Sequence, residues 1–188
     1  MNNQDAPPIK PKAKPASTPM QLALQQATAA AERGEVPVGA VITDAKGQVI
    51  AANGNRIIEH ADPTAHAEML VIREATTILK NERLVDCNLY VTLEPCPMCA
   101  GAISLARIKR LYYGAGDEKA GGAEHGVRLF SHPSCHHSPE IYGGLEEIAC
   151  ATILRDFLPL SVNHNLHQIS IHLNMMPNKE KTNEFRLF

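Results

Sequence analysis

The sequence predicts an α/β sandwich in which an initial hairpin is followed by parallel strand pairing. Strand-like and helix-like segments alternate along most of the chain. The first two strands are joined by a link short enough for a hairpin, and about thirty residues, roughly the length a parallel crossover needs, separate two later helix starts. With 188 residues, 44% of them hydrophobic, the chain has material for one core plus terminal extensions. The 18 Lys and Arg nearly balance the 20 Asp and Glu, which argues against a strongly basic duplex-coating protein. A local basic patch at Arg107, Lys109 and Arg110 is still available for a partner.

Residues 1–17, MNNQDAPPIKPKAKPAS, are rich in Pro, Lys and small or polar residues. They have too little apolar area to offset the entropy of ordering, so a disordered arm is expected. PMQLALQQATAAAERGEV, rich in Ala and Leu with Gly34 near its end, predicts a helix from about Pro19 to Arg33. VGAVITD and QVIAANGN predict two strands turning at Ala45-Lys46-Gly47. Asp62-Pro63 is expected to open a helix through TAHAEMLVIREATTILK, with Asp62 capping and Pro63 in the first turn. NLYVTLEP reads as a buried strand stopped by Pro95, PMCAGAISLARI as a core helix, RLYYGAG as a strand and LEEIACATILRDFLPL as a last helix. One folded domain is expected over residues 18–160. Residues 161–188 are expected to form a C-terminal tail, whose last stretch, NKEKTNEFRLF, is mostly polar and leaves Phe185, Leu187 and Phe188 with no assigned place.

The chemistry is concentrated in LYVTLEPCPMCAGAI, residues 89–103. If Pro97 is the first helical residue, Cys96 is the cap and Cys99 lies three further on, so both sulfurs face one helix mouth. The partial positive charge and spare N–H groups there favour thiolate. Two thiolates suit Zn2+, and a third ligand is available in His66 of TAHAEM, 30 residues upstream near the previous helix start. Successive strand-to-helix turns of a parallel α/β fold open on one edge of the sheet, so the two helix starts can meet. Three protein ligands leave the fourth zinc position open, the mark of a catalytic site. Glu68 lies about 200° around an ideal helix from His66, so it is placed beside a zinc-held water as proton acceptor and donor, not on the metal.

Other readings of these residues exist. Cys-x-x-Cys alone also fits a redox pair, and His-Ala-Glu alone fits a hydrogen-bonded helix start with a dipole-complementing Glu. Their combination, each at an expected helix entrance, favours the metal site. SHPSCHHSPE offers His132, Cys135, His136 and His137, but no helix fixes their spacing. Cys87 and Cys150 read as small hydrophobes. GAGDEKAGGAEHG lacks the Gly-Lys-Ser/Thr ending of a phosphate loop.

The joint pattern of His66-Ala67-Glu68 with Pro95-Cys96-Pro97-Met98-Cys99 is similar to the zinc deaminase signature. Together with EVPVGAVI, DPTAHAEM and GAGDEKAGG, it makes residues 18 to about 160 resemble the bacterial tRNA-specific adenosine deaminases. The resemblance implies a cytidine-deaminase-like three-layer α/β/α sandwich with a mixed five-stranded sheet. It further implies a homodimer with one Zn2+ per subunit that converts adenosine to inosine at the wobble position of a tRNA anticodon stem-loop. On this resemblance His66, Cys96 and Cys99 hold the metal, Glu68 moves the protons, Asn55 hydrogen-bonds the flipped base, and Asp117 lies near the ribose and neighbouring nucleotide. Two positions depart from the family pattern. Gly54 stands where an aromatic often precedes the Asn, and Gly116 where a basic residue often precedes the Asp, removing a packing group and a phosphate contact.

Two rival functions follow from the same residues. A deaminase of this fold acting on a free base or nucleoside, such as cytosine or guanine, would keep every ligand, and a non-catalytic zinc-stabilised binding module would need the ligands but not Glu68. No apolar run is long enough for a membrane span and no signal peptide is evident, so a cytoplasmic protein is expected. The five cysteines, an odd number, fit metal ligands or free thiols better than a disulfide framework.

Overall fold

The computed structural model describes residues 17–157. The expected N-terminal arm falls almost wholly outside this range, as do the tail and Phe185, Leu187 and Phe188. Helix α1 (Pro19–Glu32) starts where the sequence places it. The Thr18 hydroxyl accepts from the Gln21 N–H, the Gln21 side chain accepts from the Thr18 N–H, and Pro19 sits where no donor is needed. Strands β1 (Gly39–Thr43) and β2 (Val49–Gly54) form the expected hairpin. Its turn is tied by the Asp44 carboxylate, which accepts from the N–H groups of Lys46 and Gln48 at 2.8 Å each.

The helix expected to open at Asp62-Pro63 begins instead at Ala67 (α3, Ala67–Leu79). Asp62 caps a turn: its carboxylate accepts from both the N–H and the hydroxyl of Thr64, while the Ala65 N–H returns to the Asp62 carbonyl. A one-turn helix α2 (Ile57–His60), too short to leave a periodic signal, precedes it. The N–H groups of Ile58 and Glu59 there both donate to the buried Glu35 carboxylate. Strand β3 (Asn88–Leu93), helix α4 (Pro97–Ala106) and strand β4 (Arg110–Ala115) follow as expected. A three-residue strand β5 (Glu140–Tyr142) completes the sheet, and a last helix starts at residue 147.

The sheet order is β2-β1-β3-β4-β5, with β1 antiparallel to both neighbours and β3, β4 and β5 mutually parallel. Parallel pairing therefore begins at β3, and the hairpin joins it through an antiparallel contact. Because β1 opposes both β2 and β3, those two strands run the same way. The C-terminal ends of β2, β3 and β4 thus reach one edge of the sheet, and α3 and α4 both start from that edge.

Helices cover both faces. Ala67, Val71 and Ala75 of α3 and Ala100, Ile103 and Ala106 of α4 meet Ala40, Ile42, Leu89, Val91 and Leu111 in the larger core. On the opposite face Met20 and Ala23 of α1 and Cys150 of the last helix meet Val41, while Cys87 joins the larger core, so both cysteines act as small apolar groups. Helix α1 lies unusually close to the sheet, because the paired residues Gly39 and Gly54 present no side chain to it. A Cβ at 39 would collide with the Ala23 carbonyl and Ala27 nitrogen, and one at 54 would lie 2.5 Å from the Gln26 carbonyl. The absent aromatic at position 54 is therefore matched by a helix that occupies the space such a ring would need.

Candidate active site

His66 and Cys96 are both N-cap residues with extended backbones, at φ −70°, ψ 151° and φ −66°, ψ 169°. Their carbonyls accept the first helical bonds, from Leu70 and Ala100, but neither side chain caps its own helix. N-cap positions favour Ser, Thr, Asp or Asn for capping, so a His and a Cys at such positions indicate another use for the side chains. They point at each other. His66 Nδ1 lies 3.7 Å from Cys96 Sγ and 3.5 Å from Cys99 Sγ, and all three donor atoms fall within 4.8 Å of one another.

The donor set fits a tetrahedral zinc. Bonds of about 2.0–2.1 Å to imidazole and about 2.3 Å to thiolate at tetrahedral angles require N···S separations of roughly 3.6 Å. The two separations, 3.7 and 3.5 Å, straddle that value. Electrostatics point the same way: a hydrogen bond from Cys99, opposed by burial and aided by His66, pulls the Cys96 thiol down to about 4. The contact with Cys96, followed by burial, pushes Cys99 up, and the contact with Cys96 also raises His66.

Glu68 is buried beside this group, and its Oε2 has no hydrogen-bond partner among the described residues. Burial first, with the Cys96 charge adding to it and His66 opposing, holds its carboxyl above the usual range. An orphaned buried carboxyl oxygen next to three metal-type donors is costly to leave unfilled, and a water or substrate atom would satisfy it.

Asn55, just past the end of β2, is also buried and its orientation is set by the fold. Its Oδ1 accepts from the Ala67 N–H at 2.9 Å, supplying the cap that His66 does not, and its Nδ2 donors have no partner among the described residues. Asp117 stands just past β4 at the same sheet edge, half-buried. One of its oxygens accepts from the N–H groups of Lys119 and Ala120, so part of its capacity goes to the turn.

Sequence reasoning overlooks Glu94, in the otherwise apolar run LYVTLEP. Its side chain is fully buried and accepts from the N–H groups of Asp117, Ala123, Glu124 and His125 and from the His125 ring. The glycine-rich loop does cradle an anion with its N–H groups, and that anion is the protein's own carboxylate. A charged residue inside a buried strand is the signal that could have found it. In SHPSCHHSPE, His137 Nε2 donates to the Ile108 carbonyl and Cys135 Sγ to the His137 carbonyl, which pins the loop. Of the three basic residues Arg107, Lys109 and Arg110, Arg107 donates to the His136 carbonyl and Arg110 pairs with Glu140 at 2.9 Å, and Arg110 opens β4 at the edge away from the site.

This fold and site define a deaminase, and the comparisons agree. The family model of MafB19-like deaminases matches residues 16–169. A tRNA-specific adenosine deaminase of Agrobacterium fabrum is 59% identical over 73% of this chain and 90% of its own length. One of Rickettsia bellii is 45% identical over 73% and 96%. A solved structure from work on A-to-I editing by tRNA:A34 deaminases at the wobble position matches with a TM-score of 0.71 at 59% identity. It covers 72% of this chain and 98% of that one. The chain belongs to the bacterial tRNA-specific adenosine deaminase family. It is an enzyme, and its His66, Cys96 and Cys99 form a group able to hold a metal ion. Among the described residues no helix is long and apolar enough to cross a membrane.

Proposed function

We propose that this protein hydrolyses the exocyclic amine of adenosine at the wobble position of a tRNA anticodon, giving inosine and ammonia, with zinc held by His66, Cys96 and Cys99. The observation that carries the chemistry is the convergence of those three side chains beside a buried carboxyl with an unpartnered oxygen. What supports the substrate is the 59% identity to a relative named for that activity. When bound, zinc supplies a Lewis acid that brings the pKa of a water from about 15.7 to about 7.

The chain's own groups do the rest. Glu68 takes the proton of the attacking water on its free Oε2 and delivers it to the ring nitrogen beside C6 as the C6–O bond forms. It then takes the proton of the new C6 hydroxyl and passes it to the amino group, which leaves as ammonia as the C6–N bond breaks. A carboxyl held above its usual range by burial suits this alternation between base and acid. Asn55 offers its two Nδ2 hydrogens to an acceptor on the base, and its fixed orientation needs no adjustment on binding. Asp117 meets the ribose side of the flipped nucleotide. The enzyme works in the cytoplasm as a homodimer, for which the exposed Leu105 and Met98 of α4 offer apolar surface.

Incubation with an anticodon stem-loop bearing a wobble adenosine, and separately with free cytosine, guanine and adenosine, tests the reading. Inosine in the stem-loop is expected. Turnover of a free base without any of the stem-loop would overturn it in favour of a base deaminase.

A further inference from the structure

We propose that His125 is a substrate-contacting residue that binds the sugar–phosphate backbone of the RNA, from the space that Gly116 leaves open beside Asp117. The inference rests on the tRNA reading above and adds a contact to it. A Cβ at position 116 would lie 3.3 Å from His125 Cε1 and 3.6 Å from its Nδ1. The imidazole therefore fills the volume into which a side chain at 116 would project.

The ring is aimed as well as placed. Glu94 Oε2 takes both the Asp117 N–H at 3.0 Å and His125 Nδ1 at 2.6 Å, so the ring and the Asp117 backbone meet at one oxygen. Burial opposes the charge on Glu94, but the N–H groups of Asp117, His125 and Glu124 outweigh it and hold the carboxyl below its usual range. A carboxylate in that state has no proton to give, so Nδ1 is the donor. This fixes the tautomer and sends Nε2 to the other side of the ring. There no hydrogen bond engages it among the described residues, and the side chain is 41% exposed.

A loop tether alone would not need the ring, since four backbone N–H groups already hold Glu94. What the ring adds is a polar nitrogen at the surface, on the sheet edge that carries the candidate metal group. A neutral ring accepts there from a ribose hydroxyl, and a charged one donates to a phosphate oxygen. Both partners belong to the RNA backbone.

The test compares His125→Asn and His125→Ala with the wild type in steady-state kinetics on the stem-loop. Asn keeps a donor where Nδ1 stands, and so the bond to Glu94, but has nothing at the Nε2 position. The expected result is a KM raised roughly three- to tenfold in both variants, with kcat within about twofold and zinc content unchanged. Single 2′-deoxy substitutions flanking the wobble position sort the two partners. If one of them abolishes the difference between wild type and Asn, the contact is that ribose hydroxyl, and if none does, it is a phosphate. A wild-type KM in His125→Asn overturns the proposal and leaves His125 a tether. So does a 15N resonance of His125 Nε2 that stays put when the stem-loop saturates the wild-type protein, whatever the variants do. Absence of stem-loop turnover by the wild type is a different failure, that of the tRNA reading itself, and the inference falls with it.

Discussion

On the proposed function, Glu68 transfers protons and the three candidate ligands hold the metal, and substitution separates the two. Glu68→Gln keeps the shape of the side chain and removes its basicity. Zinc content by elemental analysis should stay near one per chain while inosine formation drops by about 10²–10⁴. His66→Ala or Cys96→Ala removes a donor from a group whose atoms lie 3.5–3.7 Å apart, so both zinc and activity should be lost. A Glu68→Gln protein with full activity would take proton transfer away from Glu68, and wild-type protein that holds zinc but forms no inosine would favour the non-catalytic zinc module. The convergence of His66, Cys96 and Cys99 was legible because their positions are tied to helix starts, and Pro97 announces one of those starts in the sequence. Glu94 and Glu35 were not legible. What they do depends on which distant N–H groups the fold brings to them, and one-dimensional spacing holds no record of that.

At the level of elements, the sequence marks helix starts reliably only where the capping partner is local. Thr18 and Gln21 cap α1 from within it, and the start of α1 was read correctly. The cap of α3 comes from Asn55, twelve positions away in sequence, while the nearer Asp62 serves a turn, so that helix was read as starting too early. The strand β5 escaped for a related reason: three residues cannot show alternation. The contact of α1 with the sheet carries its own prediction. Ala23, Ala27 and Ala30 are fully buried against the Gly39–Gly54 pair, so Gly39→Ala must push the helix outward. A loss of about 2 kcal/mol is expected, roughly 4–8 °C in thermal melting. Unchanged melting would mean that α1 is seated less tightly than the geometry indicates.

For the molecule as a whole, the question is whether the metal makes the fold or the fold makes the metal site. Most of the core lies between the sheet and the helices and does not use the ligands: Ile42, Val71, Leu89, Ile103 and Leu111 are fully buried without them. The three donors come from the mouths of two helices that the parallel β3–β4 register and the matching direction of β2 already bring to one edge. The metal should therefore add stability to a protein that is folded without it, unlike small zinc modules that unfold on chelation. At free zinc about a hundredfold above the dissociation constant, the gain is about 2.7 kcal/mol, or roughly 5–11 °C in melting temperature. Melting with and without chelator, followed by circular dichroism, checks this. The expected apo protein keeps its helical signal, melts lower, is inactive, and regains activity on adding zinc. We propose residues 18–160 as the domain that does this, so a chain trimmed to those residues should show the same shift. Collapse of the helical signal on chelation would mean that the sheet edge does not preorganise the site, and the zinc-stabilised module would become the better account.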